Sequence, residues 1–188
     1  AAARRRAPRR RSASAGWVWA EDPGQVLACA AGLWWGAEPE VMAAGTGTNG
    51  KTSVATFTRQ IWARLGHDAC NFGTTGVEGA WEAPLSHTTP EPITLHRVLA
   101  AAARAGVTHG CMEASSPGLA QRRLDGVPLR AAGFPNFTQH HLDYHATFAA
   151  YFWAQAGHFR QQHLAQGVAG AEHSMPRRGQ RGAAARAH

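Results

Sequence analysis

Apolar residues recur along this chain in two patterns, short unbroken runs and longer stretches at three- and four-residue spacing, and the two alternate. From Asp22 or Pro23 the apolar positions Val26, Leu27, Ala30 and Leu33 predict a helix that ends near Gly36. Val41-Met42-Ala43-Ala44 reads as a buried strand, and Val54, Phe57, Thr58, Ile61, Trp62 and Leu65 then fall at helical spacing. Asp68 to Phe72 reads as a second strand, closed by Gly73-Thr74-Thr75-Gly76. Pro92 opens a helix carrying Leu95, Val98 and Leu99 that stops at Gly106. Val107 to Met112 is a third strand ending at Glu113, and Leu129 to Phe134 a fourth. A last helix is expected from Ala146 to Leu164, with Phe148, Tyr151, Phe152 and Phe159 on or near its buried side. This alternation predicts an α/β fold, a mainly parallel sheet with flanking helices and ligands at the carboxyl ends of the strands.

Between the first strand and its helix lies Gly45-Thr46-Gly47-Thr48-Asn49-Gly50-Lys51-Thr52, which meets the phosphate-loop pattern G-x-x-x-x-G-K-[ST] at every fixed position. Lys51 is the only lysine in the chain; every other one of its 19 basic residues is arginine. A compact ammonium on a flexible stem fits a phosphate cradle that a planar guanidinium would overfill. Glycine lets backbone N–H groups converge on phosphate oxygens, and the following helix adds its positive end. The expectation is a nucleoside triphosphate site, ATP in particular, formed by Gly47, Thr48, Asn49, Gly50, Lys51, Thr52 and Ser53. Lys51 would reach the outer phosphates and Thr52 would offer its hydroxyl to Mg²⁺. A chain with 21 glycines can match such a pattern by chance, and the strand-loop-helix setting argues against that here.

Composition narrows the partners. A length of 188 residues with 44% hydrophobic content supports a globular core. No apolar run approaches the roughly 18 residues of a membrane span, so no membrane partner is expected. The Arg-rich start meets Glu21 and Asp22 too soon to frame a signal peptide. Cys29, Cys70 and Cys111 are odd in number and form no CxxC pair, which argues against a disulfide framework and a zinc site and favours a cytoplasmic setting. The formal charge of +7 is a property of the ends: Arg4, Arg5, Arg6, Arg9, Arg10 and Arg11 at one, Arg177, Arg178, Arg181 and Arg186 at the other. Without those ten the chain has fewer basic residues than its 12 acidic ones, so no specific nucleic-acid partner is expected. Both ends lack periodicity and are expected to be disordered, residues 1–15 and 166–188.

Several blocks together resemble the central domain of the Mur ligases. They are Thr46 to Ser53, Gly73-Thr74-Thr75-Gly76, Thr88-Thr89-Pro90-Glu91, Met112-Glu113-Ala114-Ser115-Ser116, Gln121-Arg122-Arg123 and His141-Leu142-Asp143-Tyr144-His145. Thr-Thr-Pro-Glu and Leu-Asp-Tyr-His point to the branch that adds the third residue of the peptidoglycan stem peptide. Folate polyglutamate synthetases share the loop but are not expected to share those two blocks. The resemblance implies an ATP-dependent amide-bond ligase. Such an enzyme phosphorylates the carboxylate of UDP-N-acetylmuramoyl-L-alanyl-D-glutamate, and the amine of meso-diaminopimelate or L-lysine then attacks the acyl phosphate. Residue by residue, it implies catalytic roles for Lys51, Glu113 and His141, metal ligation by Thr52, Glu113 and His141, and binding of the UDP-muramoyl dipeptide by Thr88, Thr89, Ser115, Gln121 and Arg123. Plainer roles stand beside these: a solvated strand end for Glu113, capping or packing for His141, turn formation for the threonines. Asp143 and His145 receive no catalytic role.

The chain also departs from the family pattern. Gln155 stands where a carbamylated lysine is usual, Ser115-Ser116-Pro117 where Ser-Ser-His is, and Gln139-His140 where an Arg-Asp pair is. The resemblance runs from about Trp19 to Phe159, with residues 16–40 expected as the remnant of a preceding domain and its linker and 41–165 as a partial central ATP-binding domain. The opening on Ala1 rather than Met fits a piece of a longer reading frame. Three readings stay open at this point: a fragment of a cytoplasmic cell-wall precursor ligase, another P-loop NTPase or phosphotransferase, and a non-catalytic nucleotide-binding remnant. The amino acid added and the oligomeric state are not legible.

Overall fold

The computed structural model describes residues 16–134 and 168–171. Helix α1 (Pro23–Trp35) begins where the Asp22 carboxylate accepts a hydrogen bond from the Gln25 N–H at 3.1 Å, with Pro23 in the first turn where no N–H is needed. It ends at Gly36, whose left-handed backbone (φ 60°) returns an N–H to the Gly32 carbonyl. Strand β1 (Val41–Gly45) follows, then α2 (Lys51–Arg64), β2 (Ala69–Gly73) and β3 (Gly76–Gly79). Helix α3 (Pro92–Arg104) is capped by Glu91, whose two carboxylate oxygens accept from the Ile93 and Thr94 N–H groups, both at 2.8 Å. Strand β4 (His109–Glu113), the short helix α4 (Ser116–Ala120), β5 (Leu129–Phe134) and β6 (Val168–Ala171) complete the described elements.

The strands form one six-stranded sheet in the order β3-β2-β4-β1-β5-β6, parallel throughout except for the β2–β3 hairpin. The α/β expectation therefore holds. Three elements depart from the sequence pattern. Gly76–Gly79 pairs back on β2 across the two-residue Thr74-Thr75 turn, although Gly-Val-Glu-Gly has too little apolar alternation to announce a strand. Helix α4 has only five residues, below the length at which periodicity shows. The expectation of disorder over 166–188 is corrected at Val168–Ala171, which pairs in parallel with β5. Four small residues carry no pattern of their own, and the β5 edge supplies the pairing. The helix expected over 146–164 lies outside the described residues.

Parity along the strands sorts the core into two unequal halves. Met42, Phe72, Met112 and Leu129 face the α3 side, where they pack with Leu95, Leu99, Leu119 and Leu124. Helix α1 lies outside α3 on that face. Ala43 and Cys111 face α2 and form a small buried cluster with Ala55, with Trp62 and Ala131 half-buried around it. Helix α2 forms where helical spacing was expected after the loop, but that spacing is split: Ala55 is buried, while Phe57, Ile61 and Leu65 are each about 60% exposed or more. Small side chains on this side of the sheet offer cover to Ala55 and Trp62 and leave Phe57, Ile61 and Leu65 turned outward.

Glu38 lies in the link between α1 and β1 and lines an open cavity of about 660 Å³ with Cys29, Gly32, Leu33 and Gly126. Desolvation in that cleft pushes its carboxyl up from 4.5 to about 7. A carboxyl whose pKa is higher folded than unfolded favours the folded state fully below pH 4.5, and that contribution is lost as the pH rises through 7. Glu38→Gln is expected to leave stability unchanged at pH 4 and to raise it by about 1 kcal/mol at pH 8, after allowance for solvent screening of a half-buried group. Urea unfolding at the two pH values measures this; equal effects at both would contradict it.

Candidate functional site

The sheet topology creates the site. The connection from β1 runs through α2 to β2 on one side, while that from β4 runs through α4 to β5 on the other, and β1 and β4 are neighbours. Opposite exits from adjacent parallel strands open a crevice at their carboxyl ends. Gly45 pairs with Glu113 at that level, so the phosphate loop leaves the sheet directly beside the acidic end of β4.

The loop carries the conformation its sequence predicts. Gly50 is the N-cap of α2 at φ 82°, a left-handed position that suits glycine, and it brings no side chain to the helix end. The first-turn N–H groups are thus left for an anion. Thr46 and Thr48 are buried at the base of the loop, and Asn49, Gly50 and Ser53 are exposed. The Lys51 ammonium folds back over the loop, donating to the Gly47 carbonyl at 2.7 Å and the Thr48 carbonyl at 3.2 Å. Partial burial pushes its pKa below the ordinary lysine value, and the nearby Glu113 carboxylate opposes that shift.

Glu113 is 2% exposed, and its carboxylate is the node of the site. One oxygen accepts from the Thr52 hydroxyl at 3.0 Å and the Thr74 hydroxyl at 3.4 Å; the other accepts from the Thr74 backbone N–H at 3.0 Å. The plainer role of a solvated strand end is therefore excluded. Gly73 makes room for this carboxylate, since a Cβ on Gly73 would overlap Glu113 Oε1. Thr74 is the residue the sequence reading left without a role. The signal for it was the Gly-Thr-Thr-Gly block at a strand end, but its contact with Glu113 spans 39 positions and no local pattern encodes that.

A row of polar groups extends from Glu113. The Thr74 and Thr88 hydroxyls are 2.9 Å apart. Thr89, buried, donates its hydroxyl to the Glu113 backbone carbonyl and accepts the Ser115 N–H, both at 2.9 Å. The Ser115 hydroxyl caps α4 through the Gly118 N–H at 3.1 Å, and Pro117 sits in the first helical turn, where no N–H is needed. Arg123 donates to the Thr89 carbonyl at 2.6 Å, and its Nε and Nη2 both reach Gln121 Oε1. The structure thus gathers Lys51, Thr52, Thr88, Thr89, Glu113, Ser115, Gln121 and Arg123 around one crevice. Thr89 and Ser115 hold the framework as well as lining it. His141 and Gln155 lie outside the described residues.

Among the described residues no three His, Cys, Asp or Glu side chains gather into a metal-binding group, and no Lys or Arg forms an ion pair with Glu113. What is present is one buried carboxylate beside a threonine hydroxyl, a hard-oxygen pair of the kind that holds Mg²⁺ together with phosphate oxygens and water. The residues fit that ion.

Comparison with known proteins places these features. The Mur ligase middle domain family matches residues 46–181, which carries the likeness past Phe159 into a stretch whose composition shows no motif to the eye. UDP-N-acetylmuramoyl-L-alanyl-D-glutamate--2,6-diaminopimelate ligase of Brucella melitensis biotype 1 is 58% identical over 136 residues, 72% of this chain and 28% of that protein. The enzyme of the same name from Rhizobium meliloti is 56% identical over 131 residues, 69% of this chain and 27% of that protein. This chain therefore spans little more than a quarter of the length of those relatives. A solved structure of a ligase of that name superposes with a TM-score of 0.66 at 32% identity, over 74% of this chain and 29% of the other. E. coli FolC in complex with DHPP and ADP superposes with a TM-score of 0.57 at 19% identity, over 74% of this chain and 39% of the other, a likeness of fold alone. With the acidic strand end, the hydroxyl row and nearly the whole phosphate loop inside the matched segment, the chain belongs to the Mur ligase middle-domain family.

Proposed function

We propose that this chain is the nucleotide-handling portion of an ATP-dependent amide-bond ligase that adds meso-diaminopimelate to UDP-N-acetylmuramoyl-L-alanyl-D-glutamate, acting in the cytoplasm. The observation that carries the reading is the 3.0 Å hydrogen bond from Thr52 to Glu113, which sets the first turn of the phosphate-loop helix against a buried carboxylate at the switch point. The choice of diaminopimelate over lysine is supported by the names of the relatives, which agree on that amino acid.

In this reading the loop N–H groups and the Lys51 ammonium bind and orient the triphosphate, Lys51 exchanging its contacts with Gly47 and Thr48 for the outer phosphate oxygens. Thr52 and Glu113 would hold Mg²⁺, which when bound neutralises charge on the phosphoryl group being transferred. Thr88, Gln121 and Arg123 would orient the UDP-muramoyl dipeptide, their hydroxyl, amide and guanidinium groups suiting pyrophosphate, sugar and carboxylate oxygens. Thr89 and Ser115 fix the backbone from which those groups project.

The ligase reading requires phosphate release that depends on both the UDP-muramoyl dipeptide and the diamino acid. ATP hydrolysis indifferent to the dipeptide would favour another P-loop NTPase, and nucleotide binding without turnover would favour a remnant. Lys51→Met is expected to weaken ATP binding by about 10- to 100-fold in calorimetry, the loss of a charge-assisted contact; unchanged affinity would remove the nucleotide site from the loop. Glu113→Gln keeps the shape and one acceptor but removes the charge. Chelation of Mg²⁺ is expected to weaken ATP binding to the natural chain by about tenfold and to have less than a threefold effect on Glu113→Gln. An equal effect on both would exclude Glu113 from holding the ion.

A further inference from the structure

Between Gln121 and Arg123, the two residues read as gripping the dipeptide, lies a side chain that points the other way. Arg122 is the only non-glycine among the described residues with positive φ, at 58°. A side chain in that region is strained and persists only where its surroundings hold it. The surroundings here are two carboxylates from separate parts of the chain. The Arg122 Nε donates to Asp125 Oδ2 and its Nη1 to Asp22 Oδ2, both at 2.8 Å. Asp125 is 3% exposed, and its backbone carbonyl meets the buried His96 ring of α3 at 3.1 Å. Asp22 is the N-cap of α1, with its second oxygen on the Gln25 N–H. The first turn of α1 also lies against the Gln121 backbone, where a Cβ on Gly24 would stand 3.2 Å from the Gln121 carbonyl oxygen.

A guanidinium is suited to this arrangement because its rigid fork can serve two carboxylates at once. Its geometry also fixes the turn. A residue in the left-handed region reverses the local chain direction, so the side chains on either side of it are aimed by its φ and ψ. With the backbone between them in this conformation, Arg123 reaches both the Gln121 side-chain oxygen and the Thr89 carbonyl.

We propose that Arg122 is a positioning residue for the dipeptide site: by clasping Asp125 and Asp22 it locks the turn that presents Gln121 and Arg123 and couples their aim to the seating of helix α1. This rests on the assignment of Gln121 and Arg123 to dipeptide binding. The coupling reaches beyond the family match, since Asp22 lies upstream of residue 46.

The test measures affinity for UDP-N-acetylmuramoyl-L-alanyl-D-glutamate and for ATP side by side. Arg122→Ala is expected to weaken dipeptide binding by about tenfold and to leave ATP binding within about twofold, and Asp22→Asn to weaken dipeptide binding by about threefold. Arg122→Lys recovers part of the loss through its charge, and Arg122→Gly part of it by accepting the backbone conformation without strain. Natural dipeptide affinity in both Arg122→Ala and Asp22→Asn, or equal loss of both ligands, overturns the proposal. If the natural chain takes up ATP but no dipeptide, the assignment of Gln121 and Arg123 fails, and the clasp is judged by amide hydrogen exchange. Faster exchange at Gln121, Arg122 and Arg123 in Arg122→Ala, by about tenfold and with α3 unaltered, supports the lock. Unchanged protection at those amides overturns it.

Discussion

A carboxylate sealed from water at the end of a parallel strand is the constraint around which this structure is arranged. Left without partners, the Glu113 charge would cost several kcal/mol, enough to threaten a domain of this size. The partners come from two directions, the Thr52 hydroxyl from the phosphate-loop helix and the Thr74 N–H and hydroxyl from the β2–β3 turn, and the absent side chain of Gly73 makes the room. Satisfying one charge thereby fixes the relative positions of the loop, the hairpin and the strand. The backbone of the same residue continues the effect, since its carbonyl takes the Thr89 hydroxyl and so orients the segment entering α3.

The topology explains why so many of these groups can meet. β2, β4 and β1 lie side by side and parallel, so their carboxyl ends deliver Gly73, Glu113 and Gly45 to one level of the sheet. The two faces differ in what they contribute. The α3 face holds most of the buried apolar volume and serves as the platform, whereas the α2 face is thin and carries the loop. Beyond the platform, the chain of contacts from His96 through Asp125 and Arg122 to Asp22 joins α3, the turn after α4 and α1.

Much of this was readable from local pattern. The β1 run and the glycines and lysine after it set the loop, Pro92 with Leu95 and Leu99 set α3, and Leu129 to Phe134 marked β5 to the residue. Thr52 was named from the phosphate-loop pattern, Glu113 and Arg123 from blocks that resembled a family, and the fold brings them to one crevice. What escaped the reading shares a physical cause. β3, α4 and β6 are four or five residues long and owe their form to neighbours distant in sequence. The part played by Thr74, the clasp of Arg122 on a residue 100 positions earlier, and the outward turn of Phe57, Ile61 and Leu65 are tertiary facts, invisible to periodicity. His141 and Gln155, which bear most on metal chemistry, lie in the stretch the structure does not describe.

The pairing of β1 has a kinetic side. Both neighbours of this strand come from much later in the chain: Val41 is in register with His109, and Met42 with Leu129. Hydrogen bonds between such remote segments form only after long loops have closed, and contacts of that kind slow folding. Until β4 and β5 arrive, β1 has two bare edges, and the helix that follows its glycine-rich turn has no Glu113 to anchor the Thr52 hydroxyl. The residues that read most clearly as a nucleotide cradle are therefore synthesised before the strands that give them their shape.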